Sequence, residues 1–600
     1  MTATAKRTSA EYHQRARELE AAGGERPVKI AVLASFTAEL LKPYIVVESA
    51  DLGGRIAPWF APFGQLEQVI MDPASPLWKE EYDLIWIALR LEDLDPHLHH
   101  EHPTLGPERT TARLDALRSR VIGAAKAARA HTRATLLLSN FAFSSLYAPG
   151  IFDASDPNGF GHLLAATNWQ LAKDAAAIPD THVFDYQGVV NASGASGWAD
   201  PKLWYMARAV SSAPNHAALA QGLARAVSAL VRPAIKCIVL DLDNTLWGGV
   251  LGDDGIEGIK LGDDYPGNVF KEFQAALLGL HQRGFLLAIA TKNDEATVLE
   301  ALRSHPEMVL RDKHFASIFA NWDSKPANLR RIAEALNIGP DAMLFIDDNP
   351  VERAQMRAEL PMVHVLELPT DTTSYVAALL DCSLFDRPRL LLEDRHRGEM
   401  YQQSRERSKH LERGASLEEA LRDLRMMAQV GEAGPQTLDR IHQLIQKTNQ
   451  FNVTTRRHRL EEVRSLSKAP DAKVAWLRLQ DRYGAQGLVC VGILRKLQRD
   501  CWEVDTFLMS CRVGGRRVEA AFMGYLAELA RAAGAARLRG VFRPTSKNEP
   551  VRRLYPELGF RSVPSSSKDS EQLFEIELEN GVLPWPDLIA REENPKRHDA

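Results

Sequence analysis

Along the first 231 residues, short apolar runs alternate with longer stretches of helical period. The runs VKIAVLASF, YDLIWIAL and ATLLLSNF (28–36, 82–89 and 134–141) are apolar throughout. Such runs are typical of strands that are buried on both faces of a parallel sheet. Because helical segments separate them, the pattern predicts an α/β domain over residues 1–232.

A second set of apolar runs follows, with amphipathic segments such as KEFQAALLGLHQRG between its members. The runs are IKCIVLDLD, GFLLAIATK, DAMLFIDDN and VHVLELP, at 235–243, 284–292, 341–349 and 363–369. They predict a second α/β domain with a parallel sheet, over residues 233–386.

The last third of the chain has longer strands of mixed pattern, AKVAWLRLQD, QGLVCVGILRKL, CWEVDTFLMS and ARLRGVFRPT, with helices between them. It predicts an α+β domain over 421–580. An intensely charged stretch at 387–420 is interpreted as an exposed helical linker, and 581–600 as a polar tail. The fold class is therefore α/β in three domains.

Composition narrows the class of protein. The chain has 600 residues, of which 45% are hydrophobic and 25% charged, with a net charge of -5. This excludes a disordered chain and gives no electrostatic reason to expect a nucleic-acid or membrane partner. No run of about 18 apolar residues predicts a membrane helix. Five scattered cysteines indicate reduced thiols in a cytoplasm.

Polar side chains follow three apolar runs of the second domain at the points where the predicted strands end. In open α/β sheets, ligands bind at the carboxyl ends of the strands. An isolated lysine, Lys325, begins a helix between the second and third of these clusters. The clusters are Asp241 with Asp243, Thr291 with Lys292 and Asn293, and Asp347 with Asp348 and Asn349.

These residue types suit phosphoryl transfer. Clustered carboxylates repel one another unless a cation joins them, and oxygen ligands with water favour Mg²⁺. One aspartate would attack phosphorus while another protonates the leaving oxygen. Lys325 and the Thr291 hydroxyl would hold the non-bridging phosphate oxygens.

The motifs DLDNT, TKN, the lysine of NWDSK and IDDN resemble the four signature motifs of haloacid-dehalogenase (HAD) superfamily phosphotransferases. More narrowly, IKCIVLDLDNTLWGGVLGDDGIEGIKLG, HPEMVL and FIDDNPVERAQMR are similar to the FkbH-like family. QKTNQFNVTTRR and DTFLMSCRVGGRRVE extend the resemblance over most of the chain.

The resemblance implies roles for individual residues. Asp241 would be the nucleophile and Asp243 the general acid and base. Mg²⁺ would be bound by Asp241, the backbone carbonyl of Asp243, and one or both of Asp347 and Asp348. Contacts to phosphate would come from Thr291, Lys292 and Lys325.

The resemblance also implies a reaction. FkbH-like proteins are implicated in removing phosphate from 1,3-bisphosphoglycerate and loading glyceryl on the phosphopantetheine thiol of an acyl carrier protein, for polyketide-type metabolism. The gaps from Asp241 to Thr291 and from Thr291 to Lys325 are too short for a capping domain, which leaves an open site.

In the first domain, Ser35, Asn140 and Asp200 resemble the layout of SGNH-type hydrolases. The GDS signature is absent, and the usual terminal histidine is replaced, so a hydrolytic triad would lack its base. We therefore interpret this domain as a degenerate, structural or carrier-docking unit.

The third domain resembles GNAT acyltransferases. Its turn of Arg512, Gly514 and Gly515 precedes a helix, as in domains that hold a pyrophosphate at a helix N-terminus. Asn548 and Tyr555 match later GNAT positions. Together they predict binding of coenzyme A or pantetheine, although Arg517, where a small residue is expected, makes acetyl transfer doubtful.

Three functions stay open from the sequence. The first is an FkbH-like glyceryltransferase and phosphatase. The second is a Mg²⁺-dependent phosphatase for another small phosphoester, with acyl transfer by the third domain. The third is a non-catalytic scaffold. Cys237 lies four residues upstream of Asp241, too far to relay glyceryl, and only Cys511 could do so, through domain docking. We predict direct attack by the carrier thiol.

Overall fold

The structure is a computed structural model. It describes residues 7–22, 26–142, 150–232, 235–387, 416–448, 451–498, 500–510, 513–545, 548–564, 571–578 and 583–592. The chain divides into two compact units, and the boundary lies directly after Arg232. Asp386 belongs with the first unit.

The first unit contains a five-stranded sheet of order β2-β1-β3-β4-β5, in which all neighbours are parallel. The strands are β1 (Val28–Ala34), β2 (Ile56–Phe60), β3 (Leu84–Ala88), β4 (Thr135–Ser139) and β5 (Thr181–Phe184). The α-helices are α1 (Ser9–Ala21), α2 (Lys42–Asp51), α3 (Leu66–Met71), α4 (Pro76–Lys79), α5 (Leu91–Leu94), α6 (Leu98–His131), α7 (Phe160–Ala176), α8 (Tyr186–Ser193), α9 (Pro201–Ala207) and α10 (Ala213–Val231), and the 3₁₀ turns are Ala38–Leu41, Gly150–Ser155 and Ala195–Gly197.

Both faces of this sheet are covered by helices. Alternate residues of β1 enter two separate apolar cores, with Ile30 and Val32 in one and Ala31 and Leu33 in the other. Successive side chains of a strand point to opposite faces, so a strand covered on both sides must be apolar at every position.

The first half of the second unit holds a parallel sheet of order β10-β9-β6-β7-β8. The strands are β6 (Cys237–Leu240), β7 (Leu286–Thr291), β8 (Phe315–Ala320), β9 (Met343–Asp347) and β10 (His364–Glu367). The helices are α11 (Leu251–Gly258), α12 (Gly267–Gln282), α13 (Glu295–Ser304), α14 (Lys325–Leu336), α15 (Pro350–Glu359) and α16 (Tyr375–Leu380), with 3₁₀ turns at Asp312–His314, Pro340–Ala342, Thr372–Ser374 and Ser383–Phe385.

The connections in this sheet are short. Residues 235–387 are all described, and the chain between β6 and β7 forms only α11 and α12. No second sheet or helical bundle is inserted there, in agreement with the expectation that this domain has no cap.

The last part of the second unit contains a mixed eight-stranded sheet of order β16-β17-β15-β14-β13-β12-β11-β18. The strands are β11 (Met426–Glu432), β12 (Ala472–Asp481), β13 (Gly484–Lys496), β14 (Cys501–Met509), β15 (Arg537–Phe542), β16 (Arg561–Val563), β17 (Gln572–Glu577) and β18 (Ile589–Glu592). The helices are α17 (Leu417–Asp423), α18 (Leu438–Lys447), α19 (Leu460–Leu466), α20 (Val518–Ala532) and α21 (Leu554–Glu557), with a 3₁₀ turn at Glu549–Val551.

The multi-domain α/β architecture is thus confirmed, and two of the predicted segments need correction. β18 pairs in parallel with β11, and Ile589 is buried, so residues 583–592 do not form a polar tail. Of the predicted linker 387–420, residues 388–415 lie outside the described residues. Ala420, at its end, is buried beside Leu421, which belongs to the core of the mixed sheet.

No helix in the described part of the chain is both long enough and apolar enough to cross a membrane.

Candidate active site and metal centre

Three carboxylates meet at the carboxyl edge of the second sheet. Asp241 directly follows β6, and Asp347 and Asp348 lie at the end of the neighbouring strand β9. One carboxylate oxygen from each can be chosen so that all three lie within 4.8 Å of one another. The register explains this, because the backbone N–H of Asp241 donates to the carbonyl of Ile346, which holds the two strand ends level.

Lys325 lies between these carboxylates. Its ammonium group is 3.1 Å from Asp241 Oδ1 and also donates to Asp347 Oδ2. The side chain is buried. It is positioned by the start of α14, where Ser324 caps the helix by accepting the backbone N–H of Ala327.

Burial dominates the electrostatics of the cluster. It raises the pKa of Asp241 to about 6, since desolvation and the charge of Asp347 outweigh the attraction of Lys325. Burial likewise raises the pKa of Asp347 and of Asp348. Desolvation alone would lower the pKa of Lys325, but the nearby carboxylates Asp241 and Asp347 raise it overall.

The residues present fit a divalent metal ion. Three carboxylates against one ammonium leave two uncompensated negative charges in a buried place. Because an all-oxygen donor set favours a hard cation, Mg²⁺ matches both the charge and the chemistry. The group of Asp241, Asp347 and Asp348 is the set of potential ligands found in the described residues.

Asp243, the predicted general acid and base, is held at both carboxylate oxygens. Its Oδ1 accepts the indole N–H of Trp247 and the backbone N–H of Leu251, both at 3.0 Å. Its Oδ2 accepts the side-chain amide of Asn293 at 2.9 Å. Trp247 is fully buried. The arrangement fixes the orientation of a carboxylate that is itself only partly buried.

The sequence predicted no role for Trp247, and it placed Asn293 in a polar cluster without assigning it a role. Asn293 is the third residue of the TKN motif, and Trp247 lies in the Gly-rich segment after Asp243. Its position in the TKN motif could have identified Asn293 as a residue of the site. No sequence pattern distinguishes a buried tryptophan that donates a hydrogen bond from one that only packs in the core.

Thr291 and Lys292, both predicted to contact phosphate, have different partners in the structure. The Thr291 hydroxyl is buried and hydrogen-bonded to Asp241, so it belongs to the cluster. Lys292 turns away, and its Nζ donates to Oε1 of Glu352 in α15 at 2.7 Å. The contacts therefore support Thr291 as a phosphate ligand and assign Lys292 to an ion pair.

Arg353 supports the other side of the cluster, and no sequence pattern indicated this role. Its guanidinium donates to the backbone carbonyls of Asp347 and Asp348 at 2.7 and 2.6 Å, and to Glu367 at 2.9 Å. The side chain is buried. It fixes the turn that presents the two aspartates.

In the mixed sheet, the predicted pantetheine site is largely occupied by the chain itself. Arg512 lies outside the described residues. Gly514 and Gly515 lie in a turn before α20, and Gly515 adopts a positive φ of 73°. Asn548 is fully buried and bonds the backbone of Asn452, Arg543 and Thr545.

Tyr555 was predicted to take part in binding coenzyme A or pantetheine. Instead it is fully buried, stacked on Phe574 and lying against the backbone at Gly540. Burial raises the pKa of its phenol far above the ordinary value. A group that is enclosed in this way does not reach a ligand at the sheet surface.

β14 and β15 are parallel neighbours but pair over only four positions, up to Val504 opposite Gly540. Beyond that point the two strands no longer pair with each other. Residues 451–454, which we call the wedge segment, form backbone hydrogen bonds with both. The N–H of Val453 donates to Phe507 of β14, and the carbonyl of Val453 accepts from Arg543 after β15. A pantetheine arm entering here would have to displace the wedge segment.

The predicted hydrolase residues of the first unit are not assembled into a triad. Ser35 Oγ donates to Asp93, which was not predicted, at 2.7 Å. The Asn140 amide donates to Asp185, and Asp200 caps α9 by accepting two backbone N–H groups. The absence of a hydrolytic base expected from the sequence fits this arrangement.

Three of the cysteines are buried. Cys237, Cys490 and Cys501 have less than 2% of their surface exposed, and burial raises the pKa of each thiol. Such thiols are poor nucleophiles at neutral pH. Cys382, next to the 3₁₀ turn that follows α16, is partly exposed, and Cys511 lies outside the described residues.

Comparison with known proteins gives one extensive similarity. A crystal structure of the N-terminal part of the protein BF1531 from Bacteroides fragilis, which contains a phosphatase domain and is complexed with Mg, is 28% identical. The similarity covers 64% of this chain and 100% of that chain, with a TM-score of 0.55.

Two shorter similarities involve GNAT proteins. The GNAT domain of S. lividans PAT is 17% identical and covers 25% of this chain and 89% of that chain, with a TM-score of 0.21. An N-acetyltransferase from Staphylococcus aureus Mu50 is 11% identical and covers 25% and 98%, with a TM-score of 0.20. No protein-family model and no curated protein matches the sequence.

Proposed function

We propose that this chain is an enzyme that removes phosphate from a small phosphorylated metabolite in a Mg²⁺-dependent reaction at Asp241. The observation that carries the proposal is the cluster of the buried Asp241 and Asp347, both paired with Lys325, and the partly buried Asp348. The Mg-complexed phosphatase domain of the Bacteroides protein supports it.

The proposed chemistry follows from the contacts of each residue. Lys325 and Thr291 bind the non-bridging oxygens of the phosphate and orient phosphorus toward Asp241. An oxygen of Asp241 forms a bond to phosphorus while the bond to the leaving oxygen breaks, and Asp243 gives that oxygen a proton. Asp243 then takes a proton from the water that hydrolyses the aspartyl phosphate. Asp241, Asp347 and Asp348 would hold Mg²⁺, which supplies charge neutralisation when bound.

The finer proposal is that the substrate is 1,3-bisphosphoglycerate and that an acyl carrier protein takes the glyceryl unit. The phosphate ester at the third carbon would be cleaved at Asp241. The carrier's pantetheine thiol would attack the acyl carbonyl directly, and the acyl C–O bond breaks with release of phosphate. The FkbH-like motifs support this reading, as does the enclosure of Cys237, Cys490 and Cys501. Unpaired thiols fit a cytoplasmic enzyme.

The test is phosphate release and carrier loading by the full chain with 1,3-bisphosphoglycerate, Mg²⁺ and a panel of holo carrier proteins. Asp241→Asn removes the nucleophile and one negative charge, so we expect a loss of phosphate release on the order of 10³-fold or more. Asp264→Asn, at an exposed aspartate of the same domain, is the matched control.

Each measurement distinguishes between the proposed reactions. Intact mass of the carriers distinguishes glyceryl loading from simple phosphatase activity. A rate for Asp241→Asn equal to that of Asp264→Asn, or activity that survives EDTA, would refute the phosphatase proposal. A glyceryl adduct on an enzyme cysteine would refute direct transfer alone.

A further inference from the structure

The first unit has a polar cluster at the place where its strand order reverses. β1 lies between β2 and β3, so the chain moves outward from β1 in both directions. Ser35 directly follows β1, and Arg90 and Asp93 follow β3. In open parallel sheets, the crevice at the carboxyl ends of two such strands is the preferred ligand position.

Two atoms of this cluster have no hydrogen-bond partner. Ser35 Oγ donates to Asp93 Oδ2 at 2.7 Å and accepts the backbone N–H of Arg90 at 2.9 Å. Within the described part of the chain, Asp93 Oδ1 and Arg90 Nη1 are enclosed and unpaired. Buried polar groups in native proteins are nearly always paired, so an unpaired acceptor beside an unpaired donor indicates a missing ligand or water.

The cluster contains two guanidinium groups, those of Arg90 and Arg208, and two carboxylates, those of Glu92 and Asp93. Arg90, 9% exposed, lies 3.5 Å from Glu92, and its guanidinium is 4.5 Å from the ring centre of Trp204. Arg208 approaches the same ring at 4.8 Å and is exposed. No described carboxylate makes an ion pair with Arg208. Burial raises the pKa of Asp93 to about 6.

We propose that this cluster binds a small 2-hydroxycarboxylate. The carboxylate of the ligand would accept from Arg90 Nη1 and from Arg208, and the hydroxyl on the neighbouring carbon would donate to Asp93 Oδ1. This pairing supplies both missing partners and gives the exposed guanidinium of Arg208 a carboxylate to which it can donate.

Two other ligand classes fit less well. A phosphate dianion has no hydrogen to give the carboxylate of Asp93 and would be repelled by it. A hydrolysed ester would need an oxyanion donor, but the Asn140 amide is engaged by Asp185, and its carbonyl accepts the N–H of Gln187. We therefore assign binding rather than hydrolysis.

The experiment uses the full chain and four ligands of nearly the same shape. L-lactate and D-lactate carry both groups, propionate lacks the hydroxyl, and lactamide lacks the charge. Affinities are measured by saturation-transfer difference NMR titration. We expect one lactate enantiomer to bind about tenfold tighter than propionate, because propionate leaves the buried acceptor unpaired. Lactamide should bind more weakly than lactate by a similar factor.

Variants locate the binding. Arg208→Ala, at an exposed position, should weaken lactate binding about tenfold. Arg109→Ala, at another exposed arginine of the same unit, should leave it unchanged. Asp241→Asn should also leave it unchanged, which distinguishes this cluster from the carboxylate site.

The proposal is wrong if lactate and propionate bind equally, or if neither lactate enantiomer saturates in the millimolar range. It is also wrong if Arg208→Ala binds lactate like the unaltered chain, or if Asp241→Asn abolishes the binding.

Discussion

At the scale of single residues, the candidate site depends on how Asp243 is oriented. A carboxylate that is to protonate a leaving oxygen needs its free lone pair, or its proton, directed at that oxygen. Trp247 and Asn293 each take one oxygen of Asp243 and so remove its rotational freedom. They act through Asp243 and are positioning residues.

Trp247→Phe removes the indole donor and keeps most of the buried volume. We expect kcat/KM for alkyl phosphates to fall about tenfold, since alkoxides leave poorly without a proton, and to fall much less for p-nitrophenyl phosphate. The readout is the slope of log(kcat/KM) against leaving-group pKa, which should become steeper. An equal loss on both substrates would indicate a packing role instead. Trp169→Phe, at an exposed indole, is the control.

A sequence motif predicts where the fold places a residue better than it predicts the direction of a long side chain. Asp241, Asp347 and Thr291 lie together as expected because strand ends converge at one edge of a parallel sheet, and the start of α14 adds Lys325. The direction of a long side chain is decided by partners that are remote in sequence. Lys292 therefore meets Glu352, 60 positions later, which its neighbours in the chain do not reveal.

At the scale of elements, the residues that follow the wedge segment form a buried network of charged side chains. His458 lies between Glu462 and the fully buried Asp505, at 2.9 and 2.7 Å, and Arg456 also pairs with Asp505. Burial alone would lower the pKa of His458, but these carboxylates raise it overall. For Asp505, burial is outweighed by His458 and Arg456, which lower its pKa to about 2.

This network predicts that the free energy of unfolding of the domain depends on pH. The raised pKa of His458 means that its contribution is complete below its unfolded value, about 6.5, and is lost as pH rises through the folded value. The lowered pKa of Asp505 means that its contribution is lost only as pH falls toward about 2. His458→Gln should therefore destabilise most between about pH 4 and 6.5, by roughly 1.5–3 kcal/mol. Urea midpoints across pH measure it, and a pH-independent difference would contradict a charged histidine.

The end of the chain makes a second prediction for an element. A chain that ends at residue 580 loses β18 with its buried Ile589 and Leu588, and the Trp585 indole that donates to the carbonyl of Ile589. Burying two such side chains contributes about 3–6 kcal/mol. We expect a large drop in the urea midpoint of this domain, whereas a chain ending at 592 should keep it. Equal midpoints would mean that β18 adds no stability.

Elements were easiest to predict where both faces of a strand are apolar. β1, β3, β4, β6, β7 and β9 appear as continuous runs and were found. β2 (IAPWF) carries Pro58, which is rare inside a strand, and β5 (THVF) has four residues, so neither gave a clear pattern. β18 was missed because one buried isoleucine precedes three exposed polar or small residues.

At the scale of the whole molecule, all residues of the candidate active site come from 235–387. The division of the chain directly after Arg232 leaves them in one unit. A chain of residues 233–600 should release phosphate within about twofold of the full chain, since the hydrogen-bond and ion-pair partners described for Asp241, Asp243 and Lys325 all belong to residues 235–387. Steady-state phosphate release, with circular dichroism as the folding control, tests this. An inactive but folded fragment would show that the first unit contributes to catalysis.

The wedge segment has a consequence for recombining this chain with its relatives. Val453 supplies backbone partners to two strands that follow it by about 50 and 90 positions. A chimera that takes its mixed sheet from a breakpoint after residue 460 would leave Phe507 and Arg543 with open backbone groups along a gap between strands. Such a gap is a template for pairing with another chain, so the hybrid would be expected to aggregate. Breakpoints placed before α18 would transfer the wedge segment together with the strands that it joins.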